Sequence, residues 1–158
     1  MRSQVFAERP SLLAWVGLLR SHSALTRELN AELVANHGLT INDYEVLLHL
    51  ARAPERQLRR VDLAERLLLT ASGITRLLDG LERAGYVTKG QCKSDARVTY
   101  AVLTDEGLEK LRAAADTHVG GVRQQFESRF SEDELETLAG LLARLPGVDT
   151  DGASCSPD

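Results

Sequence analysis

Cysteine is nearly missing from this chain of 158 residues: Cys92 and Cys155 stand far apart, with no Cys-x-x-Cys. That excludes a disulfide framework and fits a reducing, cytoplasmic setting. Aromatic residues are scarce too, with one Trp, three Tyr and three Phe. The 43% hydrophobic content must therefore build an aliphatic core. No apolar run approaches the roughly 18 residues of a membrane helix, so no membrane partner is expected. Glu8, Arg9 and Pro10 interrupt the N-terminal apolar stretch, and no small-residue cleavage site follows. A signal peptide is therefore not expected. There is no Gly-rich phosphate loop, no His-Glu-x-x-His and no Gly-x-Ser-x-Gly. The four histidines (His22, His37, His49, His118) have no partner at i+4. No catalytic residue, metal-ligand set or cofactor is expected, and the chain does not read as an enzyme.

A net charge of −4 argues at first against a polyanionic partner. The distribution argues the other way. Between Pro54 and Tyr100 stand nine basic residues, Arg56, Arg59, Arg60, Arg66, Arg76, Arg83, Lys89, Lys93 and Arg97, against six acidic ones. That third of the chain carries +3 and the remainder −7. A basic block within an acidic protein is a local electrostatic footprint.

Spacing predicts a long helix from Ser11 to about Asn36. Leu12, Trp15, Leu19, His22, Thr26, Leu29 and Leu33 fall three and four apart on one face, and Gly38 closes it. A second helix runs from about Asn42 to Ala53, with Tyr44 and Leu47 inward, and Pro54 stops it. A short third helix covers Val61 to Leu67. Thr70 is a natural N-cap for a fourth, whose buried stripe is Ile74, Leu77, Leu78, Leu81 and Ala84, ending at Gly85. Then "YVTK" and "VTYAVL" read as a hairpin around the polar loop "GQCKSDAR". Thr104 caps a fifth helix with a seam from Leu108 to Phe126. Ser131 and Glu134 form a capping box for a sixth, with Leu135, Leu138, Leu142 and Leu145 inward. The tail 147–158 has little to bury and reads as disordered. No internal repeat is present. The fold class is thus mainly α with a small β-hairpin wing: a winged helix-turn-helix core at about 54–104, flanked by helices at about 11–36 and 105–145, in one domain, 1–146.

The fourth helix begins with little bulk: Thr70, Ala71, Ser72, Gly73, Thr75. A recognition helix enters the major groove by its N-terminal end, where bulk would hold it off the base edges. Thr70, Ser72 and Thr75 supply short hydroxyls, Ala71 and Gly73 permit close approach, and the free amides of the first turn favour a phosphate. Arg76 follows on the exposed face, long enough for a guanine edge or a phosphate. The alternative is that Thr70 is only a cap on a tolerant surface.

The stretch "LAERLLLTASGITRLLDGLERAGYVTKGQCKSDARVTYAVLTDEGLEKL" resembles the core of the multiple antibiotic resistance regulator (MarR) family. "SGITRLLDGLERAGYV", Asp95-x-Arg97 in the wing and "LTDEG" carry the likeness, which extends from the first helix to about Leu145. Ala71 stands where many members have a polar or basic residue. The resemblance implies dimeric, cytoplasmic DNA-binding regulators whose DNA affinity is often lowered by small, frequently anionic aromatic ligands. It assigns Arg97 to the minor groove. The residues of the "CKSDAR" tip place two cations, Lys93 and Arg97, around one anion, and Asp95 reads as holding the Arg97 guanidinium in one orientation for that groove. The expected partners are a near-palindromic double-stranded operator, a second copy of the chain, and a small aromatic acid or phenol.

His22 lies within the apolar arc of the first helix, near Trp15. It is either a core histidine with satisfied nitrogens or a polar group in an apolar cleft, with Trp15 and Tyr44, for such a ligand. Cys92, beside Lys93, reads as an incidental surface thiol or as a redox sensor. A winged-helix protein-interaction module without DNA binding is the alternative that the acidic total charge favours.

Overall fold

The computed structural model describes residues 9–91 and 97–146. The expectations for Cys92, Lys93, Asp95 and the 147–158 tail lie outside the described residues. The chain divides into two compact units, 1–120 and 121–158.

In the first unit, α1 (Pro10–His37) opens with Pro at its first position and closes at Gly38, whose φ of 66° is left-handed. α2 (Ile41–Arg52) follows at once. The hydroxyl of Thr40 accepts the Asp43 amide, and the Asp43 carboxylate accepts the Thr40 amide at 2.8 Å. Asn30 of α1 accepts the Ile41 amide at 3.0 Å, so the two helices share a polar joint above the core. A turn at Pro54–Arg56 leads into β1 (Gln57–Arg59), then α3 (Arg60–Arg66), α4 (Ala71–Arg83), β2 (Val87–Gln91), β3 (Thr99–Leu103) and the start of α5 (Asp105–Glu127).

The sheet has the order β1-β3-β2, both pairings antiparallel. The hairpin strands were legible; β1 was not. Three residues paired as Gln57↔Val102, Leu58↔Ala101 and Arg59↔Tyr100 are too few to show a period of two.

The core is aliphatic, as the composition requires. Leu33, Leu47, Leu50, Leu63 and Leu78 are fully buried, and Ile74, Leu81, Val87 and Leu103 close around them. α4 contributes Ile74, Leu78 and Leu81 at spacings of four and three. Ala84, expected in this stripe, is exposed, because α4 has already ended at Arg83. α1 buries only Leu29 and Leu33. Trp15 and Leu19 from its predicted inner face are exposed, as are Leu13, Val16 and Leu18.

Three helix ends use a left-handed residue. At α4, the Tyr86 amide reaches back to the Leu81 carbonyl and the Gly85 amide to that of Glu82, with Gly85 at φ 80°. This is a Schellman ending, where glycine is the usual residue. α3 ends the same way: Leu69 bonds back to Ala64, Leu68 to Glu65, and φ is 54° at Leu68. A side chain in that conformation costs about 1–2 kcal/mol.

Thr104 joins the end of α4 to the start of α5. Its amide donates to the Tyr86 carbonyl at 3.1 Å. Its hydroxyl donates to the Gly85 carbonyl at 2.7 Å and accepts the Gly107 amide at 3.0 Å. Gly107 is buried, and a Cβ there would overlap the Tyr86 carbonyl and lie 2.8 Å from Leu103 Cδ1. The "LTDEG" stretch is therefore a clamp between backbone segments.

In the second unit, the rings of Phe126 and Phe130 stand 6.5 Å apart at the end of α5. Ser131 and Glu134 form the expected capping box of α6 (Glu132–Leu142). Leu135, Leu138 and Leu142 are half-buried; Leu145, expected beside them, is exposed.

Candidate nucleic-acid interface

α3, its turn and α4 form a helix-turn-helix with the sheet behind it. Burial of Ile74, Leu78 and Leu81 fixes the rotation of α4, so the opposite face points outward. Thr70, Ala71, Ser72, Thr75 and Arg76 are all exposed there. The Thr70 hydroxyl accepts the Gly73 amide at 3.1 Å and stands 3.2 Å from the Ser72 hydroxyl. The Thr75 hydroxyl donates to the Ala71 carbonyl at 2.9 Å, leaving its lone pairs outward. The Ser72 hydroxyl has no tie to the backbone among the described contacts. Four residues of different roles thus share one small surface: a cap, a back-bonded hydroxyl, an available hydroxyl and a cation.

Gly73 belongs elsewhere. It is half-buried, and a Cβ there would lie 3.2 Å from the capping Thr70 oxygen. Its missing side chain makes room for the cap and does not serve close approach from outside.

The basic block resolves into paired and unpaired charges. Arg56 pairs with Asp105 at 2.9 Å, Arg59 with Asp62 through two bonds of 2.8 Å, Arg60 with Asp79 at 3.7 Å and Lys89 with Glu82 at 3.1 Å. Arg83 donates to the Asp79 carbonyl at 3.2 Å. Asp79, Glu82 and Arg83 line an open hollow on this face. Arg66 and Arg76 have no acidic partner among the described residues. Burial lowers the pKa of His49, and nearby Arg66 and Arg52 lower it further. It therefore adds little positive charge at neutral pH. Arg76 and the amides of the first turn of α4 are thus the outward positive features of the helix start. Arg97 is exposed just ahead of β3, where the hairpin emerges.

The three residues proposed for a ligand are placed differently from one another. Trp15 is 56% exposed on α1, and His22 is exposed two turns further along. Burial raises the pKa of Glu45 on α2, and the charge of His22 acts in the opposite direction. Tyr44 is buried in the core, its ring centroid 4.7 Å from that of His118. A single chain therefore does not enclose Trp15, His22 and Tyr44 in a common cavity. Sequence reasoning passed over His118 and Leu68. The first lies outside the apolar seam read along α5, and the second falls in the short turn between the third and fourth helices, with no role read for it.

A model of the MarR family matches residues 37–98, from the end of α1 to the wing. The solved structure of AbsC, a MarR family transcriptional regulator from Streptomyces coelicolor, is 33% identical in sequence and superposes with a TM-score of 0.76. The match covers 86% of this chain and 92% of that one. The chain belongs to the MarR family of transcriptional regulators. Sco3205, a MarR family regulator from the same organism solved in complex with DNA, is 30% identical over 90% of this chain and 89% of its own, with a TM-score of 0.78. The HTH-type transcriptional repressor YetL of Bacillus subtilis (strain 168) is 31% identical over 111 residues, 70% of this chain and 66% of that protein. The MarR match contains every residue singled out on the α4 face, and Arg97 as well.

Proposed function

We propose that this MarR protein is a homodimeric repressor that binds a near-palindromic double-stranded operator through α4 and the wing. The observation that carries this reading is the start of α4. Ser72, Thr75 and Arg76 are exposed together on the helix end that enters a major groove, and their rotation is fixed by a buried opposite face. The relative Sco3205, solved with DNA, and YetL, named a repressor, support it. The exposed apolar side chains of α1 support pairing with a second copy, since α1 leaves them uncovered in one chain. Two wings and two recognition helices then address half-sites about one helical turn, ~10 bp, apart.

Arg97 enters the minor groove flanking each half-site, with Asp95 holding its orientation and Lys93 on a phosphate. A small aromatic acid or phenol binds near Trp15 and His22, in a cleft that the second copy completes over the Tyr44 side of the core, and favours the conformation with lower DNA affinity. A ligand without such a preference shifts nothing.

The test is binding-site selection on random duplex DNA with the full chain, followed by gel shift of the enriched duplex with a panel of aromatic acids. Enrichment of a palindrome released by at least one acid is the expected result. No enrichment at all overturns the reading and leaves a protein-interaction module in its place. Enrichment without release by any acid removes the ligand alone.

A further inference from the structure

We infer that Leu68 is an apolar contact to DNA at the edge of the groove that receives α4, made to thymine 5-methyl groups or to deoxyribose carbons; this rests on the DNA-binding reading above. Two observations meet at this residue. The first is conformational. Among the described residues three α-helices end on a left-handed residue, and two of them use glycine, Gly38 and Gly85. The α3 ending repeats the hydrogen-bond pattern of the α4 ending, yet its left-handed position holds a leucine at φ 54°. Glycine fits that pattern without a side-chain clash.

The second is exposure. Leu68 is 92% exposed, and is the most exposed large hydrophobic side chain among the described residues. Its neighbours Leu67 and Leu69 are half-buried against the core. Nothing among the described residues repays the strained backbone by packing on this side chain. An outlier of this kind is informative when it stands at a site of action. Leu68 stands two residues before the Thr70 cap of α4, in the turn that leads the chain to the groove.

The chemistry selects the contact. Arg76, Ser72 and Thr75 offer hydrogen bonds and charge. The major-groove feature they leave unread is the thymine methyl, which apolar side chains recognise. At the groove edge the deoxyribose presents carbon as well. A left-handed residue in the turn holds its side chain outward without lengthening the loop, so that α4 keeps its distance from α3.

The experiment uses the full chain and the duplex enriched from random DNA, with anisotropy titrations at fixed salt and thermal unfolding in parallel. Leu68→Gly is expected to unfold at the same or a higher temperature and to bind the duplex about three- to tenfold more weakly, the weight of one or two methyl groups returned to water. Leu68→Asn, which tolerates the left-handed conformation and keeps similar volume, is expected to lose as much affinity. Leu68→Met is expected to retain it. Replacing thymines singly by deoxyuridine separates the two carbon sources. With a methyl contact, one symmetric pair of positions weakens the parent protein and leaves Leu68→Gly unchanged. With a deoxyribose contact, no such position exists and the loss persists on unrelated duplexes.

Unaltered affinity in Leu68→Gly, with the parent protein binding normally, overturns this inference alone. A dimer weakened by Leu68→Gly in sedimentation velocity assigns the side chain to a protein contact and overturns it too. Failure of the parent chain to enrich any duplex overturns it together with the DNA-binding reading.

Discussion

The hydroxyl of Thr104 donates to the carbonyl of Gly85 at 2.7 Å, tying the start of α5 to the residue that ends α4. The same oxygen accepts the Gly107 amide, so one side chain serves both helix ends. The rotation and exit of α4 are thereby set from behind. Thr104→Val keeps the shape and removes both bonds, with an expected loss of about 1–2 kcal/mol of stability in denaturant unfolding. Gly107→Ala forces a methyl against the Tyr86 carbonyl and Leu103 and is expected to cost about 1–3 kcal/mol or more. A Gly107→Ala protein as stable as the parent would show that the clamp yields freely.

The N-terminal half of α1 leaves Leu13, Trp15, Val16, Leu18 and Leu19 exposed. Such a surface is covered in a stable protein, and a second copy is the proposed cover. Leu19→Glu places a charge in that contact. It is expected to raise the dimer dissociation constant by about thirtyfold or more, the weight of one interface hot spot. Unchanged helicity by circular dichroism, with a halved mass by light scattering, is the expected pair of readings. A parent chain that is monomeric at micromolar concentration removes the dimer from the proposal.

His118 sets a pH dependence. Burial lowers its pKa from the ordinary 6.5, while Glu32 of α1 opposes the shift, and Tyr44 of α2 lies against its ring. Its Nδ1 is buried without a hydrogen-bond partner among the described residues. The folded state therefore favours the neutral ring, and the unfolded chain binds the proton more readily. Stability falls as pH drops through 6.5 and stops falling below the lowered folded value. His118→Phe keeps a ring against Tyr44 and removes the titration. Its unfolding midpoint is expected to lose less between pH 7 and pH 5 than that of the parent, whose loss also includes His49, shifted the same way. Parallel pH profiles would show that His118 does not contribute.

How much was legible depended on range along the chain. The caps at Thr70 and Thr104 and the capping box at Ser131 were readable because each is complete within four residues; the equally local box at Thr40 and Asp43 was missed. The stripe of Ile74, Leu78 and Leu81 was readable because one helix carries its whole period. β1 was not, since its three residues acquire strand character only by pairing with Val102, Ala101 and Tyr100. The apolar face of α1 was visible, but a period reports an apolar face and not what covers it. Small size and hydroxyl chemistry singled out Ser72 and Thr75, and helical position singled out Arg76; all three are exposed, whereas Gly73 is half-buried and was misjudged. Leu68 was invisible in principle, because nothing in "LLLT" says which leucine takes the left-handed conformation.

The wing yields a prediction whose sign is informative. Arg97, exposed ahead of β3, is proposed to enter the minor groove with Asp95 orienting it. Arg97→Ala is expected to weaken operator binding by about 1–3 kcal/mol and to lower the salt slope by about one, with little change in unfolding temperature. Asp95→Ala removes a negative charge near DNA, so electrostatics alone predicts tighter binding. An orienting role predicts weaker binding. Anisotropy at fixed salt decides, and tighter binding by Asp95→Ala would show that Asp95 does not position Arg97.

The start of α4 allows a cap to be told from a contact. Thr70 and Ser72 carry neighbouring hydroxyls 3.2 Å apart, but only Thr70 accepts a backbone amide, that of Gly73. Thr70→Ala therefore strips the cap and is expected to cost about 1 kcal/mol of stability, with DNA affinity falling as the first turn frays. Ser72→Ala removes an outward hydroxyl that no helix bond uses. It is expected to leave the unfolding midpoint within about 0.5 kcal/mol of the parent, as for other surface changes. Its effect belongs to the DNA complex: a loss of about 0.5–1.5 kcal/mol, one net hydrogen bond. Arg76→Ala is likewise expected to spare stability, to weaken binding by about 1–3 kcal/mol, and to relax base preference if its contact is a guanine edge. A phosphate contact would instead weaken all duplexes alike and reduce the salt slope by about one. Measuring stability and affinity together on the three variants separates the roles. If Ser72→Ala and Arg76→Ala both bind the selected duplex as the parent does, this face of α4 is not the surface that meets DNA.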